Sequence, residues 1–404
     1  MHFAILTQYY PPEIGAPQAR LAEIANYLVQ DGHQVTVLTA MPNYPAGKIH
    51  QGYGGLLKRE EKDGTQIIRT FIYPTQKADM LHRLANYFSF VFSSAFFGTF
   101  LLKRPDYLLV ESPPLFLGLT SFWLSRIKRT KMIFNVSDLW PESAVSLGVI
   151  RRGSLSYKIS AWLESFSYKR AWLVSGQSRT ILADINARFP EVRSYHLSNG
   201  VDTEMFSPAR NSISAREELA LGSECVVFYG GLHGLAQGLD QVIDAAQILK
   251  DIQGLCFVLV GDGPEKQKLM AQAKSDGVTS VRFLDSRPKP QIPELVASAD
   301  IIVVPLKMFI PGAVPSKLYE AMASGKPVVL VASGEAAEIV QQHNAGIVVE
   351  PGDVEGFAKA IKTLYEQPAL RAEMGNNGRK AVKEHFDRSR IAARFIAYLE
   401  ENLK

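Results

Sequence analysis

The sequence predicts an α/β protein made of two doubly wound parallel-sheet domains. Three observations lead there. Short β-branched runs alternate with helices of 3.6-residue apolar periodicity. That alternation halts near Ser198–Arg210 and then restarts. The 404 residues exceed what one hydrophobic core usually holds.

The first half opens with a strand, Phe3 to Thr7, and a loop, Tyr9-Tyr10-Pro11-Pro12-Glu13-Ile14-Gly15. A helix follows with Leu21, Ile24, Ala25 and Leu28 on one stripe, ended by Asp31-Gly32 before a strand at Gln34–Thr39. This βαβ unit implies parallel pairing and a right-handed crossover. Further strands are expected at Ile67–Phe71, Tyr107–Glu111, Lys131–Val136 and Trp172–Ser175. The second half has strands at Val226–Tyr229, Cys256–Val260, Val281–Leu284, Ile301–Pro305, Val328–Val331 and Ile347–Glu350, with helices between. Two such series argue for Rossmann-like domains over 1–198 (plus 387–404) and 206–386, with a last amphipathic helix at Ser389–Leu403 crossing back to the first.

Composition excludes several classes. The hydrophobic share is 47% and the charged share 21%, ordinary for a globular protein. Cys225 and Cys256 both lie in apolar strand-like runs, which fits buried thiols rather than a disulfide framework. There is no Cys/His cluster of metal-ligand spacing, and no metal or cofactor is expected. The start of the chain does not read as a signal peptide, so a cytoplasmic protein is expected. The net charge of +4 is uneven: +8 over residues 1–200 and −4 over the rest. A basic first half suits an anionic partner, and no nucleic-acid motif accompanies it. Leu84–Leu102 runs nineteen residues without a charge, rich in phenylalanine, between His82-Arg83 and Lys103-Arg104. Its serines, Asn86 and Gly98 favour a buried or interfacial helix over a membrane span. Trp123, Trp162 and Trp172 are expected in the core.

Pro311 to Val331 is the most informative stretch. Pro315 and Ser316 suit a helix start, and Gly325 suits its end before a buried strand from Val328. Lys317 and Glu320 share one face of the first turn. An ammonium beside free first-turn N–H groups can hold a diphosphate, and the carboxylate can accept from ribose hydroxyls. A capped surface helix with a Lys–Glu pair is the plainer alternative. The loop ending at Gly15, the turn Gly230–Gly234 and the helix start at Ser316 are all strand-to-helix turns that expose backbone N–H groups. In doubly wound sheets such turns line the ligand site, and two facing domains would close a cleft around it.

These motifs resemble the retaining glycosyltransferases of family 4, in the two-Rossmann GT-B class. The resemblance rests on Tyr10-Pro-Pro-Glu-Ile-Gly15, Asp31 to Thr39, Asn199-Gly-Val-Asp202, Leu259-Val-Gly-Asp-Gly-Pro264 and Pro315-Ser-Lys-Leu-Tyr-Glu320. It spans essentially the whole chain. Met41-Pro-Asn-Tyr-Pro45 and Asp138-Leu-Trp-Pro-Glu142 further resemble a bacterial O-antigen, capsule and exopolysaccharide branch, similar to L-fucosamine transferases.

The resemblance implies a donor site in the second domain, with Glu320 on the ribose, Lys317, Ser316 and Leu318 at the diphosphate, and Arg282, Phe283 and Leu284 near the base. Gly231, His233 and Gly312 would border the donor, and Gly15 and Ala16 would approach it from the first domain. Asp138 would orient acceptor or donor sugar, with Glu13 and Glu142 on the acceptor side. The departing diphosphate would take the acceptor proton, with no covalent intermediate and no metal. The implied substrates are a nucleotide diphosphate sugar, UDP-linked and N-acetylated, and a polyprenyl-diphosphate-linked saccharide met at the inner face of the membrane. Two departures stand out: Gly312 occupies the place of the family's first glutamate, and Gly231 and Gln237 replace its usual Arg and Lys. A sugar-nucleotide 2-epimerase of the same fold and a non-catalytic assembly scaffold remain alternatives.

Overall fold

A computed structural model describes residues 1–403 except 14, 45, 77–79, 147, 212 and 219–220, with the side chains of 16, 80, 213, 214 and 218 also outside the description. The chain divides into two compact units, Met1–Ser198 with Ala392–Lys404, and Asn199–Ile391.

In the first unit, β1 (His2–Leu6), α1 (Ala16–Gln30) and β2 (Gln34–Ala40) form the expected βαβ unit. β3 (Leu57–Lys62), β4 (Thr65–Thr70), α2 (Met80–Leu101), β5 (Tyr107–Ser112), α3 (Leu117–Lys128) and β6 (Lys131–Val136) follow. The unit continues with α4 (Glu142–Ser146), α5 (Leu155–Arg170), β7 (Leu173–Gly176), α6 (Arg179–Arg188) and β8 (Ser194–His196). The sheet order is β3-β4-β2-β1-β5-β6-β7-β8, parallel except for β3 on β4. Strand β3, Leu-Lys-Arg-Glu-Glu-Lys, was not expected, because an exposed edge strand has no buried face to impose alternation. Strand β8 has three half-buried residues and little apolar signal.

Helix α2 packs one face inward. Phe90 and Ser94 are fully buried, Thr120 Oγ1 donates to the Val91 carbonyl at 2.9 Å, and Gly98 abuts Leu38 and Leu124. The stretch Leu81–Leu101 is long and apolar enough to cross a membrane by length and composition. Its packed face makes it a sheet-covering helix, and its other face carries exposed phenylalanines. Trp123 and Trp162 correct the core expectation: both are exposed, because they point off the outer faces of α3 and α5.

The second unit holds α7 (Ile213–Glu218), β9 (Cys225–Gly230), α8 (Asp240–Ile248), β10 (Leu255–Val260), α9 (Lys266–Ser275), β11 (Val281–Leu284) and α10 (Ile292–Ser298). Then come β12 (Ile301–Pro305), α11 (Ser316–Ala323), β13 (Val328–Val331), α12 (Glu335–Gln342), β14 (Gly346–Val349), α13 (Val354–Glu366) and α14 (Pro368–Ala381). Its six strands are all parallel in the order β11-β10-β9-β12-β13-β14. In chain order that is 3-2-1-4-5-6, the doubly wound arrangement. The direction reverses between β9 and β12, so a crevice opens beyond their carboxyl ends. Both faces of the sheet are apolar, with Val226, Phe228 and Val258 on one and Val227, Tyr229 and Phe257 on the other. Helix α15 (Arg388–Glu401) passes from the second unit into the first, where the Tyr107 hydroxyl donates to the Leu399 carbonyl at 2.6 Å.

Candidate active site

The switch point of the second unit is built from glycines. Gly231 follows β9 with φ 149°, and a Cβ there would lie 2.3 Å from Lys317 Cε and 2.7 Å from its Nζ. Only a glycine leaves that room, so the lysine lies across the strand end. Gly261, after β10, approaches as closely: a Cβ would sit 1.8 Å from the Gly231 carbonyl oxygen.

Helix α11 begins at Ser316 after Pro315, and the Leu318 N–H bonds to the Pro315 carbonyl at 3.0 Å. The Ser316 and Lys317 N–H groups lie in the first turn, where no carbonyl one turn back exists. Lys317 Nζ stands 5.5 Å from the centroid of the Tyr229 ring and has no hydrogen-bond or carboxylate partner among the described residues. Burial holds its ammonium below the usual lysine range, and the Glu320 carboxylate pulls the other way. Glu320 is half-buried and likewise has no side-chain hydrogen bond among the described residues. This arrangement offers an anion one ammonium, first-turn N–H dipoles and a nearby carboxylate that accepts hydroxyls.

His233 lies in the turn after β9 and is turned inward. The ring is fully buried, and neither nitrogen has a partner among the described residues. Its N–H donates to the Asp262 carbonyl at 2.9 Å, and its carbonyl accepts from Glu265 at 2.9 Å, which pins the loop inward. Burial, then the neighbouring Lys266 charge, push the imidazole down to about 4, so it is neutral near pH 7. Lys266 itself ties the sheet edge, donating to the Gly261 and Leu284 carbonyls and to Asp285 at 2.8–3.2 Å.

Other expected donor residues scatter. Leu284 ends β11 at this same edge, where its carbonyl accepts the Gly261 N–H. Arg282 does not join it: its guanidinium reaches Glu224, the residue before β9, at 3.4 Å, which draws it toward the opposite end of the strands. The Leu318 side chain is fully buried in the core, so it supports the helix rather than a ligand. Gly312 sits at φ 76° in the buried turn before α11. Gly15 caps α1 in the first unit, and the Ala16 side chain lies outside the described residues.

The switch point of the first unit lies between β1 and β5, and a buried polar network occupies its carboxyl edge. Glu111 on β5 pairs with Arg20 of α1 at 2.6 Å and accepts from Asn135 Nδ2 at 2.8 Å and from Ser137 Oγ. Arg20 also reaches Ser137 Oγ at 3.0 Å and Gln177 at 3.3 Å. Asp138 follows β6 beside this network, its carboxylate without a hydrogen-bond partner among the described residues. Burial first, then the Glu111 charge, push it up to about 6. Glu13 departs from the acceptor-side expectation. Its carboxylate is buried and accepts the N–H groups of Tyr10, Asn43 and Tyr44 at 2.8–3.1 Å, stapling two loops together. Glu142 is engaged by Arg152 and by the Tyr157 hydroxyl at 2.7 Å.

Sequence reasoning missed Tyr229, Gly261 and the Arg20–Glu111 pair. The signal for the last was present: Glu111 and Asn135 interrupt otherwise apolar strands, and buried strands tolerate such residues only when paired.

Residues 15–200 match the model of the "Glycosyl transferase 4-like domain", and residues 210–381 match that of "Glycosyl transferases group 1". The "Putative colanic acid biosynthesis glycosyl transferase WcaI" of Escherichia coli (strain K12) is 24% identical over 96% of this chain and 97% of its own. The "GDP-mannose-dependent alpha-(1-6)-phosphatidylinositol monomannoside mannosyltransferase" of Mycolicibacterium smegmatis is 28% identical over 70% of this chain and 79% of its own. The structure of Anabaena HepE in complex with UDP and glucose superposes with a TM-score of 0.73 at 20% identity, covering 99% of this chain and all of that one, which is a likeness of fold.

Proposed function

Because the chain belongs to the family 4 glycosyltransferases of the GT-B class, we propose that it is a retaining enzyme of bacterial surface polysaccharide synthesis. It moves a sugar, an N-acetylated amino sugar, from a UDP-linked donor to a saccharide on a polyprenyl diphosphate, at the inner face of the membrane. The colanic acid name of the Escherichia coli relative supports the polysaccharide role. UDP in the HepE complex supports the uridine donor, and the GDP-mannose dependence of the mycobacterial relative is the rival.

One observation carries the reading: a Lys317 ammonium with no hydrogen-bond partner among the described residues lies across the glycine turn at the switch point, beside the first turn of α11. Breaking the anomeric bond puts negative charge on the leaving diphosphate. Preorganised N–H dipoles and one ammonium stabilise that charge as it forms, and such stabilisation dominates the rate enhancement of many enzymes. By the family resemblance, Gly231 and Gln237 stand where an Arg and a Lys are usual, so Lys317 bears more of the load. Glu320 accepts the ribose hydroxyls. The leaving oxygen takes the acceptor proton on the same face, so neither a protein base nor a metal is required, and turnover persists in EDTA. Asp138 orients the reacting sugars. An epimerase would turn over its nucleotide sugar without acceptor.

Lys317→Ala is expected to lower kcat by about 10²–10³ with an unchanged melting temperature. Sugar transfer to a synthetic polyprenyl acceptor measures it, after UDP- and GDP-sugars have been ranked by thermal shift. Near-normal turnover in the variant overturns the assignment.

A further inference from the structure

We propose that the outer faces of α2, α3 and α5 form a membrane-docking surface that holds anionic phospholipid headgroups in a cationic pocket at the amino edge of the first sheet. The proposal deepens the membrane side of the functional reading above, and it can fail without it.

The pocket encloses about 530 Å³ and is lined by Arg126, Arg129, Lys131, Arg170, Thr130 and Trp172 among others. Arg126, Arg129 and Arg170 have no carboxylate partner among the described residues. Lys131 Nζ donates to the Asn402 and Leu403 carbonyls at 2.5 and 2.8 Å and has no carboxylate partner among the described residues. Asp106 is adjacent in the sheet, since its carbonyl accepts the Lys131 N–H, but its carboxylate accepts the His2 N–H at 2.8 Å. Four like charges around one depression repel each other unless an anion sits between them. Guanidinium groups match phosphate oxygens in a planar, two-pronged geometry.

The ligand is a bilayer rather than a soluble phosphate because the pocket continues into exposed aromatic surface. Arg170 lies 5.7 Å from the Phe122 ring and 5.9 Å from Phe166, and Phe166 stacks on Trp162 at 5.5 Å. On the other side Trp123 donates to Thr99 Oγ1 at 3.0 Å and Lys128 to the Thr99 carbonyl at 2.7 Å, which joins α3 to α2. There Phe92, Phe96 and Phe100 form an i, i+4, i+8 stripe at 70%, 61% and 71% exposure, with Trp123 at 52% and Trp162 at 60%. Soluble surfaces rarely expose so many large aromatics together. All three helices run antiparallel to the strands that they join in parallel, so their carboxyl ends gather at one edge. Lys103-Arg104, Arg126, Arg129 and Lys169-Arg170 therefore cluster there. Apolar rings at acyl depth with cations at headgroup level is the pattern of an interfacial surface, with the tryptophans at the boundary.

Co-sedimentation of the full chain with vesicles tests it. Phosphatidylcholine vesicles containing about one-third phosphatidylglycerol are expected to bind at least ~10-fold better than phosphatidylcholine alone. The variant Arg126→Glu/Arg129→Glu/Arg170→Glu is expected to lose that preference. Phe92→Ser/Phe96→Ser/Phe100→Ser is expected to lose the binding that survives high salt, because screening removes the charge contribution and leaves the apolar one. Calorimetry with UDP on the same variants confirms their fold and reads the catalytic assignment separately. Wild-type protein that binds UDP but ignores anionic vesicles overturns this surface and leaves the function standing. Equal vesicle binding by the charge-reversed variant, or a wild-type dimer that the phenylalanine variant splits, also overturns it.

Discussion

Asp138 and Lys317 carry perturbed charges for the same reason, burial, with opposite signs. A carboxyl held up to about 6 is protonated at mildly acidic pH and ionised above it. An orienting carboxylate works only when ionised, so kcat is expected to rise as pH increases through about 6. Asp138→Asn is expected to abolish that limb, and a pH–rate profile of the two proteins measures it. The stability effect has the opposite sense. The folded state binds this proton more tightly than the unfolded chain, whose carboxyl titrates near 3.8, so the folded state loses stability as pH rises from about 4 to about 6. His233 acts at the other end. Its depressed value means that the unfolded chain takes up a proton, between about 6.5 and about 4, that the folded state refuses, so stability falls as pH is lowered there. Of these residues only Lys317 was legible by pattern, because a lysine one residue into a helix announces an anion site. The burial of His233 was not legible, since it depends on Gly261 approaching the ring and Gly263 packing on the His233 backbone.

Elements explain why these side chains stay in place. Helix α11 is fixed at both ends: Pro315 sets its start, and Arg379 of α14 donates to the Ala323 carbonyl at 2.7 Å near its last turn. Helix α1 is fixed to the first sheet by the Arg20–Glu111 pair, in which both side chains are less than 5% exposed. Breaking such a pair leaves an uncompensated buried charge. Arg20→Met is expected to cost about 3–5 kcal/mol in urea unfolding, more than any surface ion pair here would. The double variant Arg20→Met/Glu111→Leu is expected to recover part of that loss, because no lone charge then remains. Helices were the more readable elements, through their periodic apolar faces. The edge strand β3 was not, since it is held by its pairing with β4 rather than by a buried face of its own.

Each unit of the whole molecule has its own apolar core, with Ile5, Val110 and Phe134 buried in the first and Phe228, Val258 and Val329 in the second. UDP is therefore expected to slow hydrogen exchange at Gly230–Gly234 and Pro315–Glu320 while leaving the β5 and β6 amides of the first unit unchanged, as mass spectrometry of peptides would report. Protection confined to the first unit would move the donor site there. The sequence by itself determined the two α/β units, most of their strands and the Lys317–Glu320 helix start, because these depend on periodicity and local turn chemistry. Tertiary structure alone decided three further points. It placed Gly231 beneath Lys317, because close approach of two loops distant in sequence is a property of the sheet order. It bound the buried Glu13 carboxylate to the loop N–H groups and drew the Arg282 guanidinium to Glu224, because a charged side chain takes the partner that folding brings nearest in space. It also turned Trp123 and Trp162 outward, because the direction a side chain faces is set by what its helix packs against.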